Sequence, residues 1–249
     1  MSVHRVICRW DFKLNAALMD RPGALCAALG GDWPELNEDP IKRQFNLERR
    51  EEGVFEQLTF TPVLAVFIGE WEDGVAVDRL STFGRLNDLF ADLEKIRAFG
   101  DIRELRRSGL RFFELDRVAQ DLEPSTDGTQ VLLPTVLQSS CNELKGPLQR
   151  AIGSVKDAAV RLIGSHDDGI SYVLQYGPFN DEEKEKFFNK IAGEWVNPTD
   201  HDFMLDADFS EINFELSVSI SKWANPIFRK LSETSKLIKK ELGECRDGN

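Results

Sequence analysis

The sequence predicts an α+β fold in two lobes, mainly antiparallel sheet covered by amphipathic helices and ending in a long C-terminal helix. Three observations carry this. Runs with a two-residue apolar period occur in both halves, runs at three- and four-residue steps lie between them, and Glu52-Gly53 and Pro62 separate consecutive strands like hairpin turns.

Residues 3–12 place Val6, Cys8, Trp10 and Phe12 on one face and Arg5, Arg9 and Asp11 on the other, the pattern of a half-buried strand. Residues 14–29 read as a helix restarted at Pro22, with Asp20 as cap and Gly30-Gly31 as stop, and Asp32–Glu35 reads as a loop. Gln44–Arg50, Val54–Thr61 and Val63–Trp71 form a meander closed by Glu72-Asp73-Gly74. The last of these is apolar on both faces and is expected to lie centrally. Ser81–Phe99 is the clearest amphipathic helix, and Ile102–Asp116 returns as a strand.

Glu123-Pro124-Ser125 to Gly128 is the strongest boundary signal and divides the chain into lobes 1–120 and 121–249, which one continuous domain could also contain. Beyond it, 135–163 has helical spacing and Ile170–Tyr176 alternates as a strand. Asn180-Asp181-Glu182-Glu183 starts a helix that buries Phe187 and Phe188, and Phe203–Phe209 alternates again. The final helix covers about 218–242, either kinked at Pro226 or begun there.

The formal charge of −12 argues against non-specific binding to nucleic acid or an anionic membrane, since both require an excess of Lys and Arg. A basic protein partner suits it better. There are 17 basic against 23 acidic residues up to position 124 and 14 against 20 thereafter, so each half carries −6. Cys8, Cys26, Cys141 and Cys245 form no CxxC pair and lie far in sequence from His4, His166 and His201, which disfavours zinc. No secretory segment or membrane span is expected, and a reducing cytoplasm is the expected compartment.

The most distinctive cluster is Arg103, Arg106, Arg107, Arg111 and Arg117. In a strand, Arg107, Gly109 and Arg111 share a face, and two guanidinium groups flanking a glycine can grip a carboxylate or phosphate. The alternative is that neighbouring acids neutralise them on a solvated face. Asp202, Asp206 and Asp208 also share a strand face, but same-face neighbours stand roughly 6.5–7 Å apart, awkward for one metal ion. His166-Asp167-Asp168-Gly169 reads as a turn rather than the seat of a general base, and Cys141 as a buried thiol rather than a nucleophile. No familiar catalytic or phosphate-loop motif occurs, so no catalytic residue, metal ligand or cofactor is assigned.

The order of strand, Trp33-Pro34-Glu35 loop, meander and helix, followed by Arg107-Ser108-Gly109-Leu110-Arg111-Phe112-Phe113, resembles a sporadically distributed family of uncharacterised prokaryotic proteins with an Arg-x-Gly-Leu-Arg-Tyr stretch. Phe112 stands where that family carries Tyr. The strand Asp206-Ala207-Asp208-Phe209 before a terminal helix containing Phe228 is similar to the family's ending, whereas residues 120–200 take no part in the resemblance. It implies a bacterial or archaeal cytoplasmic protein of the kind associated with mobile defence or toxin–antitoxin loci, and it carries no functional residue over. The expected function is a non-enzymatic interaction component with a protein partner. The alternative is a binding protein or enzyme for a nucleotide or other anionic small molecule at Arg107, Gly109 and Arg111.

Overall fold

Two long strands in the middle of the molecule decide the architecture. The computed structural model describes residues 2–29, 33, 35–39, 41, 43–116, 159–177, 186–188, 203–215 and 219–247. In it β1 (Ser2–Phe12) pairs antiparallel with β6 (Glu104–Asp116), with Val6 opposite Phe112 and Cys8 opposite Leu110. Around this seam runs one nine-stranded sheet of order β2-β3-β4-β5-β1-β6-β9-β8-β7, every neighbouring pair antiparallel. The other strands are β2 (Glu35–Asp39), β3 (Gln44–Glu51), β4 (Val54–Thr61), β5 (Leu64–Ala76), β7 (Val160–Ser165), β8 (Ser171–Gly177) and β9 (Phe203–Glu215).

The two sides of the seam repeat one plan. β5 returns beside β1 and is followed by a 3-10 turn (Val77–Thr82) and α3 (Gly84–Phe99). β9 returns beside β6 and is followed by α4 (Ile220–Asp247). α1 (Ala17–Asp20) and α2 (Pro22–Ala28) fill the excursion after β1. These helices share one face of the sheet and one core, which includes Cys8, Trp10, Phe67, Leu110 and Phe209 from the strands and Leu89, Phe90, Ile227 and Phe228 from the helices. Phe228 stacks on Phe90 at 6.2 Å and meets Phe112 edge-on at 6.0 Å, so α3, α4 and β6 join at one aromatic junction. Each such side chain contributes about 1.5–3 kcal/mol on burial.

The expected pair of α+β lobes with helix-covered sheets is therefore corrected. Strand outweighs helix among the described residues, and one antiparallel sheet carries elements of both halves, with α1 to α4 on one of its faces. Strand and helix periods disclose most of the elements but not which strands meet, and joining β1 to β6 removes two long open edges. The boundary at 120/121 and the loop around Pro124 lie outside the described residues.

Local differences follow the same logic. Glu35 opens β2 instead of ending a loop, and 160–163 belong to β7 instead of a helix; the rest of that expected helix, 135–158, lies outside the described residues. Arg21, not Asp20, occupies the cap position of α2, with Pro22 at its first turn. α4 starts at Ile220, whose N–H donates to Glu94 Oε1 of α3 at 2.9 Å, so Pro226 lies inside the helix instead of opening it. The remainder of the helix expected from Asn180 also lies outside the described residues, apart from 186–188.

Candidate functional site

The face of the sheet opposite α1 to α4 gathers the arginines. Because side chains alternate along a strand, Arg5, Ile7, Arg9 and Asp11 of β1 share this face with Arg107, Gly109, Arg111 and Phe113 of β6 and with Asp206, Asp208, Ser210 and Ile212 of β9. Cross-strand register arranges them in rows. One row runs Phe55, Glu70, Arg5, Phe113, Asp206, Gln175; the next runs Gln57, Ile68, Ile7, Arg111, Asp208, Val173, Ile163; a third runs Thr59, Val66, Arg9, Gly109, Ser210, Ser171, Ser165.

The arginine strand and the aspartate strand, read separately in the sequence, are thus neighbours. Arg111 donates from Nε to Asp206 Oδ1 at 2.8 Å and from Nη2 to Asp206 Oδ2 at 2.6 Å, a bidentate lock. Its guanidinium also stands 4.8 Å from the Phe113 ring centre and 6.0 Å from that of Phe187. The Asp206 hydrogen bonds hold the Arg111 pKa above its ordinary value. Arg107 is held far less firmly: its one hydrogen bond among the described residues, from Nη2 to Asp208 Oδ2, is 3.4 Å long. Burial pushes the Asp208 carboxyl above the usual carboxylate range, against the pull of Arg107 and Arg111.

Gly109 sits between the two arginines, beside Arg9 and Ser210. A Cβ placed there would meet the Phe209 carbonyl oxygen at 3.5 Å, ordinary contact, so the backbone does not demand glycine. Arg103 turns instead to Asp101 at 3.1 Å in full solvent, and Arg117 lies outside the described residues.

Sequence reasoning did not single out Arg5. It is 9% exposed, 3.3 Å from Glu70, which is fully buried, and it donates to the carbonyl of Phe187, whose ring packs on Phe113 at 5.0 Å. Burial lowers the Arg5 pKa, with Arg111 adding to the effect and Glu70 opposing it. The signal available was its alternation with Arg9 on β1; its partners come from 65 and 182 residues away. Arg9 pairs with Asp11 at 2.9 Å, so Arg5, Arg9, Arg107 and Arg111 each meet a carboxylate.

Beside Arg107 the face opens into a groove of about 330 Å³ lined by Arg107, Asp208, Ser165, Ser171, Ser210 and Ile163, among others. At its borders Ile163 and Ile212 are each 70% exposed.

The other candidates are placed as follows. His166 closes a turn with Gly169, at φ +86°, and its ring lies 5.1 Å from that of Tyr172. Asp202 and Cys141 lie outside the described residues, and Asp206 and Asp208 are engaged by guanidinium groups. On the helix-bearing face, buried Glu56 accepts from Arg49 Nε at 2.6 Å and Trp71 Nε1 at 3.1 Å, which ties β3, β4 and β5 together. Cys8 is a core residue whose thiol burial pushes up to about 12. No helix among the described residues is long and apolar enough to cross a membrane. No protein-family model matches the chain, and no curated protein matches it.

Proposed function

We propose that this chain is a non-enzymatic interaction protein that docks a basic protein partner on the face of its sheet opposite α1 to α4, around Arg107. The observation that carries the reading is the pair Ile163 and Ile212, each 70% exposed on that face beside the Arg107–Asp208 ion pair. Aliphatic side chains framing an arginine resemble the centre of a protein interface, where apolar contact supplies affinity and charged pairs set register. The charge of −12 favours a basic partner and speeds its encounter.

The ion pairs also weigh against a two-armed clamp made by Arg107 and Arg111. Asp206 already takes both hydrogen bonds that Arg111 would give an anion, so ligand entry would have to break a charge-assisted pair. The family resemblance directs the search for the partner to products of neighbouring genes in defence or toxin–antitoxin loci. Co-expression with those products and co-purification at physiological salt tests the reading. A stoichiometric complex that Ile163→Asp and Ile212→Asp disrupt is expected; no complex with any neighbour overturns it.

A further inference from the structure

We propose that the groove between β7, β8, β9 and Arg107 is a binding site for a phosphate group that carries a proton. The register lines Ser165, Ser171 and Ser210 up across three adjacent strands, on the same face as Arg107 and Asp208. All five line the groove, whose volume of about 330 Å³ matches a small ligand. Arg107 offers up to five N–H donors, and its one bond among the described residues is the 3.4 Å contact to Asp208. The hydroxyls add three more groups able to donate to phosphate oxygens.

Asp208 sets the selectivity. A bare carboxylate repels a fully ionised oxyanion, but it accepts a hydrogen bond from one that still holds a proton. Inorganic phosphate keeps a proton at neutral pH, and a phosphate monoester keeps one near pH 6. Sulfate has none to give. Burial has raised the Asp208 pKa, so a proton shared between the two groups costs less than at an exposed aspartate. Arg111 stays locked on Asp206 and takes no part.

Isothermal titration of the full chain at pH 6 with inorganic phosphate, a nucleoside monophosphate and sulfate tests this, the first two distinguishing free phosphate from a monoester. Binding of at least one of them about tenfold or more tighter than sulfate is expected, the worth of one charge-assisted hydrogen bond. Arg107→Ala should abolish it, and Asp208→Asn should bring phosphate and sulfate within about threefold of each other. Should Arg107→Ala not fold, Ser210→Ala replaces it, with affinity expected to fall about fivefold. Equal affinity for phosphate and sulfate, no binding of either phosphate, or unchanged binding in these variants overturns the proposal. Protein docking can hold or fail independently, because the titration contains no partner.

Discussion

Arg111 and Asp206 meet diagonally across the β6–β9 ladder, guanidinium to carboxylate, through two parallel hydrogen bonds of 2.8 and 2.6 Å. Planarity makes this pair specific, because a lysine offers no fork. Arg111→Ala is expected to cost about 1–3 kcal/mol in urea unfolding, a range that allows for the partial exposure of the arginine. Arg111→Lys should recover less than half of that loss.

The buried pair on the next row behaves differently. Glu70 is fully buried opposite Arg5, itself 9% exposed, so removing one partner strands a charge in the sheet. Glu70→Ala should cost about 3–5 kcal/mol, and the double change Arg5→Met with Glu70→Leu should restore most of it. Equilibrium unfolding of Glu70→Ala, of the singles Arg5→Met and Glu70→Leu and of their double variant checks both statements, and additive effects of the two singles would argue against the coupling.

Asp208 and Asp206 stand two residues apart on one face, yet their amide variants should act in opposite directions. Burial raises the Asp208 pKa in the folded state, so the folded chain binds that proton more readily than the unfolded chain. Its contribution therefore favours folding at low pH and is lost as pH rises through the unfolded and then the folded value. Asp208→Asn should leave the protein as stable or more stable at pH 7, with the difference from the parent shrinking toward pH 4. Asp206→Asn should destabilise it at pH 7 by weakening the lock on Arg111. Thermal unfolding from pH 4 to 8 reads both signs.

Cys8 provides a probe of the core. Burial holds its thiol near 12, so little thiolate exists at pH 8 and no reagent can reach it. Alkylation of Cys8, read by peptide mass, should require denaturant. Labelling of Cys8 in the native chain would contradict the packing of β1.

The elements legible in the sequence are those whose periodicity reflects a buried face. β1 alternates Val6, Cys8, Trp10 and Phe12 into the core, and α3 buries Leu86, Leu89, Phe90, Leu93 and Ile96 at helical steps. The edge strands were not legible in this way: β2 carries an exposed Leu36, and β7 exposes both Leu162 and Ile163, so neither shows the contrast that separates strand from loop or helix. For the candidate site, alternation placed Arg107, Gly109 and Arg111 together and Asp206 with Asp208, but not the adjacency of the two groups. That adjacency depends on β9 returning beside β6 across about a hundred residues, and no local rule encodes it.

The most direct test of docking on the face opposite α1 to α4 is co-purification of the parent chain and the Ile163→Asp/Ile212→Asp double variant with co-expressed neighbouring-gene products. Both positions are exposed, so the variant should fold as the parent does, within about 0.5 kcal/mol at each site. The account predicts a partner retained by the parent and lost by the folded variant. A partner held equally by both would contradict it.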